Sequence, residues 1–181
     1  MKKAAFFVAV GMIAASATAF TLVSQEWNVD VPQAKINFTL PKGDGAGTLS
    51  GLKAKINFNP ADPAASQIEA TVDVSTINTG ISGRDEHLKQ TDFFDAAKFP
   101  QIKFVSEKIT KTEKGFIASG QLTMRDSTRA VEMPFTFEPK GELEGVFKGT
   151  MEIFAGDYGV MKKSKSGKDL VVITMEVPVK K

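Results

Sequence analysis

The sequence predicts an all-β domain of about eight antiparallel strands, closed into a barrel or stacked as a sandwich. Two observations carry this reading. Apolar and polar residues alternate with period two through most of the chain, and clusters of Gly, Pro, Asp and Ser separate the alternating runs. Such alternation marks strands with one wet face and one dry face. The chain has no Cys, so a hydrophobic core must hold the fold, and an apolar fraction of 42% with 14 Phe is enough to build one.

The first segment sets the compartment. Lys2 and Lys3 precede an uncharged run from Ala4 to Ala19 that ends Ala17-Thr18-Ala19. A basic start, a short apolar core and an A-x-A ending read as a secretory signal, residues 1–19, cut before Phe20. The run is shorter than the roughly 20 apolar residues needed to span a bilayer, and no stop-transfer charges follow. The expected product is periplasmic or secreted, with no transmembrane segment after removal of the signal. Residues 20–181 make one domain. Without Lys2 and Lys3 the chain carries 21 basic and 21 acidic residues, which argues against nucleic acid as a partner.

The strands follow in order. In 34–40, Ala34, Ile36, Phe38 and Leu40 share a face opposite Lys35, Asn37 and Thr39. In 52–58, Leu52, Ala54, Ile56 and Phe58 oppose Lys53, Lys55 and Asn57. In 68–74, Ile68, Ala70, Val72 and Val74 oppose Glu69, Thr71 and Asp73. Runs at 102–109, 116–124, 131–137, 146–154 and 170–179 continue the pattern with more noise. Turn signals fall between them at 41–47, 59–63, 111–115, 125–128, 138–145 and 162–169. Pro134 cannot donate to a ladder and should mark an edge, a bulge or a strand limit. An eight-stranded closed barrel has a lumen that is either filled by side chains or holds one small ligand. The inward set here is Phe, Ile, Leu, Val and Met, so any guest is apolar.

Residues 82–100, SGRDEHLKQTDFFDAAKFP, break the alternation. Ser82 with Asp85 fits a capping box, Asp92 can cap a second turn through Phe93–Lys98, and Pro100 stops it. The stretch reads as a short helical insert near 82–99. It holds the chain's single His, His87, beside Asp85, Asp92 and Asp95. One His and no Cys is poor equipment for zinc, and the Asp spacing is not a calcium loop, so no metal is assigned. No G-x-S-x-G elbow accompanies His87, and no catalytic residue is assigned. Gly43–Gly51 lacks the G-K-[ST] ending of a phosphate loop and reads as a hairpin. The basic run 162–168 can touch anionic headgroups, but a solvated hairpin tip is the stronger reading. Arg84 can hold an anionic headgroup or tie the insert to the barrel wall.

At several places the chain resembles the YceI family. The matching residues are WNVD at 27–30, G-x-L-S-G-L-K at 47–53, INFNPADPAAS at 56–66, VDVSTINTG at 72–80, RDEHLKQTDFFDAAKFPQIKF at 84–104, GQLTMRDSTR at 120–129 and DYGV at 157–160. The resemblance implies a lipocalin-like antiparallel barrel, exported, whose apolar tunnel holds a long-chain isoprenoid such as a polyprenyl phosphate or a quinone-like lipid. It points to sequestration or transport and does not imply catalysis. The protein is expected not to be an enzyme and to need no cofactor, with a bound isoprenoid lipid and a homodimer both compatible with the sequence. The tail would lie along Phe38, Phe58, Phe104, Phe135 and Phe137, under Phe93, Phe94 and Phe99. Arg84, Asp85 and His87 would mark the polar end. Two departures stand out. Pro32 and Gln33 occupy the region where the family often has a first-strand His, and Asp126 stands where it often has Gly. The rival reading is a ligand-free stress-response or interaction module whose Phe residues fill the barrel.

Overall fold

The computed structural model describes residues 25–43 and 45–181; the expected signal 1–19 lies outside the described residues. Ten strand segments form one antiparallel sheet: β1 (Glu26–Val29), β2 (Lys35–Leu40), β3 (Gly45–Leu49), β4 (Lys53–Asn57), β5 (Gln67–Asp73), β6 (Gln101–Thr112), β7 (Gly115–Met124), β8 (Ser127–Pro139), β9 (Glu144–Phe154) and β10 (Leu170–Lys180). Pairing runs β1-β4-β5-β6-β7-β8-β9-β10, and β10 pairs back to β1, so the sheet closes. β2 lies on the same edge of β10 as β1, a few residues along, and β3 pairs with β2 as β4 pairs with β1. Each of these is therefore one long strand broken once, and the barrel has eight strands joined in chain order, as the alternation predicts.

The two breaks have local causes. Between β1 and β2, Val31–Gln33 tightens into a 3-10 turn with Pro32 in its first positions, where a missing N–H costs nothing. The Asp30 N–H still reaches the Pro178 carbonyl of β10 at 2.9 Å, so the strand keeps its neighbour through the kink. Between β3 and β4, Gly51 takes φ +70°, and the Ser50 N–H donates to the Thr76 hydroxyl. The sequence reading placed 41–47 in a turn; Gly45–Gly47 instead start β3. Gly47 fits there because a Cβ would stand 2.6 Å from both the Phe38 ring and the Asn78 carbonyl.

A bulge between Ser106 and Lys108 bends β6. The buried Ser106 hydroxyl accepts the Ile68 N–H at 2.8 Å, which satisfies a donor the β5–β6 ladder leaves free. Pro134 marks a limit as expected: β8 pairs with β7 through this residue, but its ladder with β9 starts only at Phe135.

The insert is α1 (Ser82–Leu88) followed by turns to residue 98. The expected capping box does not form. The helix is capped from Ile81 without a side-chain bond, because the Asp85 carboxylate reaches back to the N–H and hydroxyl of Thr79 at 2.8 and 2.6 Å. No helix among the described residues is long and apolar enough to cross a membrane.

Candidate ligand cavity

Inward side chains divide the lumen into two halves. At the end carrying the β6–β7 and β8–β9 turns, the aromatic residues form a plug. Phe58 is 0% exposed and meets Phe116, Phe135, Phe137 and Phe147 edge-on at centroid distances of 5.0 to 5.5 Å. Trp27 closes the floor: its ring lies 5.0 Å from Phe137, and its indole N–H donates to the Phe58 carbonyl at 2.9 Å. Edge-to-face aromatic pairs are stabilised beyond simple burial by about 0.5–1.5 kcal/mol each, so this floor is rigid.

Above the plug the side chains do not fill the lumen. A cavity of about 430 Å³ lies between β2, β4, β5, β6, β9 and β10 and the underside of the insert. Its wall on β10 runs from Val171 to Val177, about 20 Å of strand at about 3.3 Å per residue. Small inward residues, Ala54 and its cross-strand partner Ala70, leave the space, and Ile36, Ile56, Val72, Met151 and Ile173 line it. The polar side chains on its wall are Thr71, Thr79, Arg84 and His87, three of them from the insert and the segment leading into it. Cavities of about 300–1,000 Å³ with apolar walls and few polar groups are the usual form of a small-molecule site.

Of the residues expected along the tail, Phe38, Phe93, Phe94, Phe104 and Phe135 line the cavity, as do Arg84 and His87 at the polar end. Four do not. Phe58 and Phe137 belong to the plug, because strand register sets them one level lower. Phe99 turns away from the lumen, where the Lys98 ammonium covers its ring at 5.0 Å. Asp85 is spent on Thr79, whose hydroxyl and N–H hold its carboxyl below the usual carboxylate value. His87 is exposed at the rim and packs edge-on to Phe93 at 4.8 Å.

Arg125 lies beside Asp126, the residue that stands where the family often has Gly. Its backbone takes φ +52° in the two-residue turn between β7 and β8. That geometry costs a non-glycine residue about 1–2 kcal/mol. It aims the guanidinium across the barrel end, where one nitrogen donates to the Phe93 carbonyl and to the Gly159 carbonyl. Arg125 thus fastens the insert to the β9–β10 connection. The turn position preceding Asp126 was the available signal. Among the described residues no group of three His, Asp or Glu is placed to hold a metal.

The YceI-like domain family matches residues 27–180. The chain belongs to this family. Curated YceI-like relatives include a UPF0312 protein of Pseudomonas savastanoi, 32% identical over 120 residues, which are 63% of this chain and 62% of that one. A UPF0312 protein of Pseudomonas fluorescens is 33% identical over 126 residues, 64% of each chain. The matches thus span a little under two thirds of those relatives. Among solved structures, BcnA of Burkholderia cenocepacia superposes with a TM-score of 0.73 at 22% identity, covering 84% of this chain and 98% of that one. A polyisoprenoid binding domain from Saccharophagus degradans, implicated in plant cell wall breakdown, superposes with a TM-score of 0.63 at 11% identity, covering 85% and 97%. These likenesses show a shared lipocalin-like YceI barrel.

Proposed function

We propose that this YceI-like protein is an exported carrier or sequestering protein for a long-chain isoprenoid, and that it is not an enzyme. The observation that carries the reading is the cavity itself: a deep, apolar space of about 430 Å³, partly open to solvent, with its polar groups toward one end. An amphipathic lipid has the complementary shape. Its chain would lie above the Phe135–Phe147 floor, and its headgroup would lie at the rim beside Arg84 and His87. Burial at about 25 cal/mol per Å² of apolar surface supplies the affinity. A guanidinium at the rim favours a phosphorylated or otherwise electron-rich headgroup over a plain hydrocarbon end. The structural likeness to a domain described as polyisoprenoid binding supports the class of ligand.

The rival, a filled barrel acting as an interaction module, accounts for the plug but leaves the space above it without a purpose. Native mass spectrometry of protein purified from its own host, followed by solvent extraction, tests the proposal. An isoprenoid adduct is expected. Protein that arrives empty and takes up neither a prenyl phosphate nor a quinone overturns it. Arg84→Gln should weaken binding of a prenyl phosphate about tenfold while leaving the corresponding prenol within twofold.

A further inference from the structure

We infer that a hydrocarbon chain reaches the cavity sideways, through a slit in the barrel wall between β8 and β9. The inference rests on the lipid-binding reading above. The β8–β9 ladder runs from Pro139↔Gly145 to Phe135↔Gly149 and ends there. Both strands continue past that point, β8 back to Ser127 and β9 forward to Phe154. Each keeps its other neighbour, β7 down to Ser127 and β10 up to Phe154. The two strands therefore stop pairing at Gly149, and their facing edges beyond it are unpaired with each other.

Three residues account for the slit. The Pro134 carbonyl lies toward Gly149, so its nitrogen faces β9 as well, and a proline nitrogen has no hydrogen to offer. Continuing the register beyond Phe135↔Gly149 would set Glu132 directly opposite Glu152 on the outer face, and both are exposed. Like charges in that relation oppose pairing. Gly149 stands at the fork with no side chain to block it. The wall is thin here: the inner cavity and an outer groove of about 770 Å³ share Phe135, Gly149 and Met175 as lining. Met133, a flexible side chain, is half-buried on the inner bank.

The other routes fit a chain less well. The aromatic plug fills the floor, and Arg125 ties down the roof. What opens at the roof is the polar rim of Arg84 and His87, suited to a headgroup.

The experiment pairs Glu132→Cys with Glu152→Cys and follows uptake of a pyrene-labelled prenol by stopped-flow fluorescence. Oxidation to the cross-strand disulfide should slow uptake at least tenfold, leave the final amplitude within twofold, and be reversed by reductant. Equal rates before and after cross-linking overturn the inference and assign loading to the α1 end. A second measurement needs no lipid. Alternate residues of a strand point their N–H groups to the same side, so the Glu132 amide faces the slit with Pro134. It should exchange with solvent as fast as a loop amide in the wild type. Exchange should slow at least tenfold in Pro134→Thr/Glu132→Lys, which supplies the missing donor and an opposite charge. Strong protection of Glu132 in the wild type defeats the slit. Failure of the wild type to take up any prenol defeats the lipid-binding reading instead.

Discussion

Filling the cavity should stabilise the protein and disable it together. Ala70 faces the void between Ala54 and Phe104, and Leu at this position adds three carbons. Removing roughly 80 Å³ of cavity at about 24 cal/mol per Å³ gives about 2 kcal/mol. Burial at about 0.8 kcal/mol per methylene gives a similar figure. Fixing the leucine rotamers costs about 0.5–1 kcal/mol. The net gain is therefore about 1–1.5 kcal/mol, a rise in Tm of about 3–5 °C for a domain of this size. About a fifth of the 430 Å³ is lost to the guest, so a prenyl phosphate should bind at least tenfold more weakly. Differential scanning calorimetry of lipid-free protein, alongside fluorescence titration, reads both quantities. A fall in Tm would show that side chains already occupy the space, since overpacking costs about 1–3 kcal/mol. That result, or unchanged affinity, would refute the account of the cavity as a ligand site.

Other substitutions probe the surrounding structure. Phe58→Ala removes the central ring of the plug and should cost about 3–5 kcal/mol, read as a shift in the urea midpoint without loss of the β-sheet circular dichroism signal. Arg125→Gln removes a cation bonded to two carbonyls and should lower stability by about 1.5–3 kcal/mol; hydrogen exchange should rise in residues 91–95 and 155–160, and unchanged exchange in both segments would contradict its role as a tie. The Asp85 carboxyl is held below its ordinary value by Thr79, so its stabilising effect is present above the ordinary carboxylate range and is lost as pH falls through the lowered value. An NMR titration should place Asp85 below the exposed carboxylates, and Thr79→Val should bring it back among them.

The strand order was legible because a barrel of this kind asks each strand for the same thing, a dry face and a wet face, and residues such as Ile36, Lys53 and Val72 state it locally. The breaks were less legible. Pro32 and Gly51 each mark a kink, but only closure against β10 shows that β1 and β2 are one strand. Alternation also says which side of the wall a residue faces and nothing about its height along the barrel. Phe38 and Phe58 look equivalent in sequence, yet one lines the cavity and the other is sealed in the plug. Height follows from register and shear, which are properties of all eight strands together. The insert was recognisable, but its inner wiring was not: Asp85 had two donors to choose from, its own helix end or Thr79, and tertiary placement decided between them.

The floor of the lumen carries a last consequence. Trp27 and the rings around Phe58 fix how far a guest chain could reach, so on the proposed function the barrel would measure its ligand from a hard stop. A chain shorter than the space leaves a void, and each extra carbon up to the limit adds affinity. Beyond that limit, additional units push the headgroup past the rim at no gain. A plot of affinity against prenyl chain length should therefore rise and then go flat, with the corner set by the aromatic floor rather than by anything at the rim.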